Sequence, residues 1–313
     1  MLFIGGSLNQ TTMMHAIARH LPEHELSFSP FYGDGLVRLL ADAGLLGFTI
    51  LGGRPRQMTE AYLHEQGLRL DYRGGSHEYD LVVTGTDLIV PRNVRGKRLV
   101  LVQEGMTDPE DWRYRMVRRW RLPRYLANTS MTGLSHAYDR FCVASDGYRE
   151  LFERKGVRPD RMAVTGIPNF DHAASYREND FAHRGYVLAA TSCLRETFKP
   201  EDRPAFIRRV LEIAAGRSVI FKLHPNERVG RAEREIRRLA PRALVLASGN
   251  TNHMIANCDV LVTRYSSVVY VALALGKDVY ADVDRETLRR LMPEQNGGTS
   301  ARRIAGICRE LLQ

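Results

Sequence analysis

No apolar run in this 313-residue chain approaches the roughly 18–20 residues that a membrane-spanning helix needs, so no such span is expected. The opening Met1–Ile4 is too short for a signal peptide and lacks its basic flank; it reads as a first buried strand. Cysteine is sparse. Cys142, Cys193, Cys258 and Cys308 stand far apart, with no CxxC and no Cys/His ligand spacing. That excludes a disulfide scaffold and a zinc site, and fits a reducing cytoplasm. No repeat at solenoid periods is visible, and neither a complete GxGxxG nor a Walker loop occurs, which weakens dinucleotide and P-loop readings. Lysine is scarce beside arginine, yet the net charge is +9. Such a surface favours acidic partners.

What is present is a regular alternation of short apolar runs with amphipathic segments, the pattern of βαβ units and a parallel sheet. In the first half, strands are predicted at 2–5, 25–29, 49–51, 68–72, 81–85, 99–103 and 141–144. Helices are predicted near 11–20, 35–43, 57–65 and 146–155. The second half repeats the rhythm, with strands at 186–190, 219–223, 243–246, 260–263 and 278–281 and a final helix from about 299 to 312. The stretch Thr165–Asp171 and the polar residues after it mark a linker. The expected division is therefore an N-terminal domain over 1–168, a linker over 169–183 and a C-terminal domain over 184–313. Two parallel-sheet domains joined there are expected to face a central cleft at the carboxyl ends of their strands, where such folds bind ligands.

The chemistry is expected at those strand ends. In Phe221-Lys222-Leu223-His224-Pro225, Lys222 and His224 lie two residues apart and are predicted to leave the same face, with Pro225 fixing the turn. A cation and an imidazole there suit a phosphate. The run from Asp259 to Ser267 reads as strand, turn and helix start. Ser266 and Ser267 would meet an anion with free N–H groups, or simply cap the helix. After the first strand of the second half come Ser192 and Arg195; the arginine's planar fork suits a diphosphate. In the first half, Gly6, Ser7 and Thr11 belong to a glycine-led loop that opens a helix and could touch a donor or acceptor. Glu104 follows the apolar run 99–103 and is the first candidate for a general base; Asp87, after the preceding strand, is the second, with Asp108 and His15 behind them. Asp282-Val283-Asp284 has the form of a DxD metal motif, but three residues match easily by chance, and no metal or other cofactor is expected.

Between Trp112 and Tyr125, six arginines alternate with Trp112, Tyr114, Trp120 and Tyr125. Basic and aromatic residues together suit a membrane interface or an acceptor polyanion. No nucleic-acid motif accompanies them, which argues against nucleic acid.

Assembled, these residues resemble the GT-B glycosyltransferase superfamily, and most of all the branch with CDP-glycerol glycerophosphotransferases and the CMP-sugar (sialyl- and Kdo-) transferases. The resemblance rests on Val164–Asp171, Lys222–Pro225 and the run from Ala256 through Tyr265-Ser266-Ser267 to Lys277. It implies a GT-B α/β fold of two Rossmann-like domains, with an acceptor-side N-terminal domain and a nucleotide-binding C-terminal one. It also implies that His224, Pro225, Ser266 and Ser267 hold the nucleotide's phosphate and ribose. Where CDP-glycerol transferases carry a His-Gly motif, this chain has Glu104-Gly105, which is similar to UDP-N-acetylglucosamine 2-epimerases. The ribose-binding glutamate of many UDP-sugar members is missing from 269–272, and Arg264 replaces an aspartate common in the branch.

The expected function is transfer of a sugar or polyol phosphate from a CMP- or CDP-activated donor to a hydroxyl of a surface glycan or lipid-linked acceptor. Glu104 would accept the proton, and the enzyme would work in the cytoplasm or at the inner face of the plasma membrane. The competing readings are an epimerase acting on a UDP-sugar and a non-catalytic nucleotide-sugar-binding subunit.

Overall fold

A computed structural model describes residues 1–47, 49, 51–197 and 200–313, apart from the side chains of Arg54 and Thr197. The chain divides into two compact units, Met1–Asp171 with Asn296–Gln313, and His172–Gln295.

The first unit runs β1 (Leu2–Ile4), α1 (Leu8–Ala18), β2 (Ser27–Ser29), α2 (Gly35–Asp42), α3 (Gly53–Glu65), β3 (Leu81–Thr84), β4 (Arg98–Val102), α4 (Trp112–Trp120), β5 (Arg140–Val143), α5 (Asp146–Lys155) and β6 (Met162–Val164). Its six strands are parallel, in the order β2-β1-β3-β4-β5-β6. Leu2, Phe3, Val82, Val83, Val100 and Leu101 are buried in consecutive positions, as strands covered on both faces must be. The predicted strand at 68–72 shrinks to one bridge, Leu70 to Phe28. The one predicted at 49–51 falls partly outside the described residues. The edge strand β6, of only three residues and half exposed after the first, was not foreseen.

The second unit runs β7 (Val187–Ala190), α6 (Arg203–Ala214), β8 (Val219–Lys222), α7 (Val229–Leu239), β9 (Leu244–Leu246), α8 (Thr251–Asn257), β10 (Val260–Val262), α9 (Val268–Ala274), β11 (Asp278–Tyr280) and α10 (Arg285–Leu291). Its five parallel strands follow the order β11-β10-β7-β8-β9. Val187, Ala189, Phe221 and Val262 pack against Ile207 and Val210 of α6 and Ile236 of α7.

The last helix, α11 (Ser300–Leu312), was expected to close the C-terminal domain over 184–313. It instead belongs to the first unit, packing along α1. Gly297 and Gly298 both take positive φ, a conformation open to glycine at little cost, and bring the chain back to Asp171. The Gly297 N–H donates to the Asp171 carbonyl at 3.0 Å, and the Ser300 N–H to its carboxylate at 2.9 Å. Among the described residues, no helix is long and apolar enough to cross a membrane.

Candidate functional site

In each unit the strand order reverses at one point, and in folds of this kind ligands bind at the carboxyl edge of the sheet beside such a point. In the second unit this point lies between β7 and β10; in the first, between β1 and β3.

In the second unit, the loops after β7, β8 and β10 all leave from that edge, with β7 between the other two. After β8 the chain makes a tight turn with Pro225 in its second position, closed by the Glu227 N–H donating to the His224 carbonyl at 3.0 Å. The His224 amide donates to Thr191 Oγ1 (3.1 Å) and to Glu227 Oε2 (2.9 Å). His224 Nδ1 accepts the Asn226 N–H at 3.1 Å, so the neutral ring carries its hydrogen on Nε2. Burial, helped by Lys222 and opposed by Glu227 and Glu196, pushes the imidazole pKa down and favours that neutral form.

Beneath the turn lies a charged network that sequence reasoning missed. Arg203, on the first turn of α6, is fully buried. It donates through Nη2 to Glu227 Oε1, Glu201 Oε2 (3.0 Å) and the Ser192 carbonyl (3.2 Å). Glu227 also accepts the Thr191 hydroxyl. Glu227 thus ties the β7 loop, the β8 turn and α6 together. The only signal was a carboxylate three residues after His224, and charges after a turn usually face water.

Three predicted phosphate ligands behave differently from expectation. Lys222 does not share an open face with His224. It is buried, and its ammonium donates to the carbonyl of Leu223 at 2.8 Å; burial lowers its pKa. Arg195 is held by Glu235 at 2.9 Å and Glu201 at 3.1 Å, so a carboxylate already occupies the fork intended for a diphosphate. Its Nη2, like Nε and Nη1 of Arg203, is shielded from solvent and finds no hydrogen-bond partner among the described residues. Ser192 donates to Glu201 at 3.2 Å. Ser266 and Ser267 stand half-buried where β10 leads into α9, and Ser267 makes no capping hydrogen bond. Arg264, unexplained by sequence, pairs with Asp282 at 2.9 Å; Arg209 joins the same carboxylate at 3.2 Å. Asp284 caps α10 through the Thr287 N–H. Each carboxylate of the DxD triplet thus has a structural partner.

In the first unit, Glu104 stands just beyond β4. One oxygen accepts from Ser7 Oγ (3.2 Å) and Asn9 Nδ2 (3.1 Å), and the other from Gln10 Nε2 (2.6 Å). All three donors belong to the start of α1, where Ser7 is the N-cap, so the positive end of that helix also favours the carboxylate. Asn169 steadies the arrangement by donating to the Asn9 carbonyl and side chain at 2.9 and 2.8 Å. The loop glycines have structural duties. A Cβ on Gly5 would meet Thr11 Oγ1 at 2.6 Å, so the glycine admits α1 rather than a ligand. The Gly6 N–H donates to Gln10 Oε1 at 2.8 Å. Thr11 is buried, with its hydroxyl turned to the Gly5 carbonyl.

Asp87, the second candidate base, is corrected to a structural residue. It is 0% exposed, and its two oxygens accept the N–H groups of Gly133 and Ser135, each at 3.0 Å. Asp108 accepts the Thr129 hydroxyl at 2.7 Å, and His15 Nδ1 meets the Tyr62 hydroxyl at 2.8 Å.

No protein-family profile matches the chain, and no curated protein is detectably similar in sequence. Solved structures are similar over its whole length. The UDP-GlcNAc 2-epimerase of Neisseria meningitidis, bound to UDP-GlcNAc, superposes with a TM-score of 0.61 at 11% identity, covering 99% of both chains. The wall teichoic acid polymerase TagF, soaked with CDPG, gives 0.56 at 10% identity over 99% of this chain and 88% of that one. The HepE protein of Anabaena, in complex with UDP, gives 0.53 at 14% identity over 100% and 90%. With the two parallel sheets, these likenesses establish a GT-B α/β fold.

Proposed function

We propose that this chain is a glycosyltransferase or polyol-phosphate transferase that moves a group from a CMP- or CDP-activated donor to a hydroxyl of a surface glycan acceptor. In this reading His224 Nε2–H and the Ser266/Ser267 turn hold the donor phosphate, and Glu104 accepts the proton of the attacking hydroxyl. One observation carries it: the Glu104 carboxylate is held by three neutral donors, and among the described residues no cation pairs with it. A carboxylate has about four lone-pair sites. Three are occupied here, and one remains for an acceptor hydroxyl. Proton acceptance by a placed base is worth ~10²–10⁴ in rate. On the donor side, neutral donors in a half-buried turn stabilise charge as it develops on the departing phosphate. The cysteine pattern supports a cytoplasmic setting: Cys142, Cys258 and Cys308 are buried free thiols whose pKa burial pushes up.

Structures with UDP or UDP-GlcNAc bound stand among the similar folds, so UDP-sugar epimerisation is the second reading, and Glu104 suits it equally as a base. A thermal-shift series with CMP, CDP, UDP and GDP separates the two, because a bound nucleotide raises the melting temperature by mass action. Stabilisation by CMP or CDP, with group transfer lost in Glu104→Gln, is the expected result. Stabilisation by UDP alone, with exchange of the C2 proton of UDP-GlcNAc in the absence of acceptor, would replace transfer by epimerisation. Donor binding with no chemistry altered by Glu104→Gln would leave a binding subunit.

A further inference from the structure

The first unit carries a surface that its own packing leaves unexplained. In α2 and the turn after it, Leu36, Val37, Leu39, Leu40, Leu45 and Leu46 crowd into eleven positions, and none is buried. Leu36 and Leu39 are each 66% exposed and Leu45 62%. A helix that rich in leucine normally lays one face on a core. Helix α4 shows the same anomaly. Tyr114 and Val117 face inward against Ala127 and Met131, whereas Trp112 and Trp120, the chain's two tryptophans, are 60% and 66% exposed. At 3.6 residues per turn, Trp112, Arg115, Arg119 and Trp120 form one outward stripe.

Helix α2 meets the segment that follows α4. Leu36 and Val37 line a shallow cavity of ≈ 290 Å³ together with Leu88, Ile89, Pro123 and Tyr125, and Tyr125 and Leu126 extend its exposed apolar rim. Arg92, Arg95 and Arg124 line it as well, beside Asp34. Residues 112–125 include Arg113, Arg115, Arg118, Arg119, Arg121 and Arg124 and no acidic residue. Arg118 is spent on the Tyr114 hydroxyl and Arg124 on the Asp87 carbonyl, but Arg115, Arg119 and Arg121 are exposed and pair with no carboxylate among the described residues.

We propose that α2 and α4 together form a docking surface for an anionic phospholipid bilayer. Leu36, Leu39 and Leu45 enter the acyl boundary, Trp112 and Trp120 sit at headgroup level, and Arg115, Arg119 and Arg121 meet the lipid phosphates. Charge complementarity selects this occupant: exposed leucine beside interfacial tryptophan and unpaired arginine is the composition of an interfacial helix. A protein-binding face would deplete charge at its centre. This reading is independent of which nucleotide the chain uses.

The test is co-sedimentation of the full chain with vesicles of phosphatidylcholine alone and of phosphatidylcholine with phosphatidylglycerol. All variants change exposed side chains, and unchanged melting temperatures check their folding. Partition onto the anionic vesicles, weakening with salt, is expected. Arg115→Gln with Arg119→Gln and Arg121→Gln should lower it about 10²-fold, at roughly fivefold per arginine near such a surface. Leu36→Ser with Leu39→Ser, and Trp112→Ser with Trp120→Ser, should each lower it further than salt does. Equal partition onto neutral vesicles, no partition, or partition untouched by the Leu36/Leu39 pair overturns the proposal. So does a homodimer dissolved by that pair without vesicle binding, or tighter binding to duplex DNA than to the vesicles. A nucleotide-induced rise in melting temperature is read separately, so failure here leaves the catalytic proposal standing and the reverse also holds.

Discussion

Replacing Glu227 by glutamine tests whether the second unit's carboxyl edge is organised as described. The two glutamate oxygens serve opposite sides: Oε1 faces Arg203, while Oε2 receives the Thr191 hydroxyl and the His224 amide. A glutamine must turn its NH₂ toward one side. Turned to Arg203, it places donor against donor and leaves a fully buried guanidinium with Glu201 and the Ser192 carbonyl. Turned the other way, it opposes the Thr191 hydroxyl and the His224 N–H, and Arg203 still loses a charged partner. Breaking a buried ion pair costs about 3–5 kcal/mol. The retained Glu201 contact sets the expectation at the lower end, ~3 kcal/mol, equivalent to roughly 10 °C in melting temperature for a unit of this size. Both tryptophans lie in the first unit, so intrinsic fluorescence is the wrong probe. Hydrogen exchange of the β7 and β8 amides, with urea midpoints, reads the change directly. Glu227→Gln combined with Arg203→Met should be less destabilised than the sum of the single variants by on the order of 2 kcal/mol. A single variant within ~0.5 kcal/mol of the wild type, or strict additivity, would refute this account of the network.

Asp87→Asn presents one NH₂ to the Gly133 or Ser135 N–H and should cost about 1–3 kcal/mol in urea denaturation, while leaving the nucleotide-induced thermal shift intact; an equal loss of both would return Asp87 to the site. The His224 pKa is lowered on folding. The unfolded state therefore takes the proton first, and stability falls as pH drops below about 6.5. His224→Gln should flatten that fall, and identical pH profiles for the two proteins would contradict the assignment. Lys155 is buried under the Tyr114 and Phe152 rings, and burial pulls its pKa down to about 8. Between about pH 8 and 10.5 the unfolded state holds the extra proton, so stability should rise with pH by roughly 3 kcal/mol. Lys155→Met should abolish the rise, as urea midpoints at the two ends of that window will register.

The fold was legible wherever a strand is covered on both faces, because its apolar run is then continuous: Leu81–Thr84, Leu99–Val102 and Val260–Val262 all stand where expected. It was illegible where burial is partial. The strand β6 is too short for periodicity to register, and Leu68–Tyr72 carries polar residues that pair with β2 only once. Nor could periodicity show that α11 returns to the first unit, since an amphipathic helix records that it packs, not against what. Glu104 and Asp87 show the same limit at single residues. Each follows a buried strand in sequence, yet one ends among the side chains of α1 and the other under a backbone loop. Which way a strand-end side chain turns depends on the loops that meet it, and those come from distant sequence.

The fate of Arg195 follows from the same accounting of partners. To reach a phosphate, its fork would have to release Glu235 and Glu201, breaking the Glu235 ion pair and leaving the almost fully buried Glu201 carboxylate to Arg203 alone. Its Nε and Nη2 are shielded from solvent and make no hydrogen bond among the described residues. Stripping a partner from a buried charge costs several kcal/mol, as much as a charge-assisted phosphate contact returns. His224 Nε2–H has only the Cys193 sulfur at 3.8 Å to release, a weak contact beside an ion pair, so the phosphate should be held by neutral donors. Arg195→Met is then expected to lower the melting temperature while changing the nucleotide Kd less than about threefold, under 1 kcal/mol. His224→Ala should weaken binding tenfold or more, since it removes a donor aimed at charge. Isothermal titration over a salt series decides the matter: a Kd that rises steeply with salt and collapses in Arg195→Met would mean that the glutamates yield the arginine to the ligand.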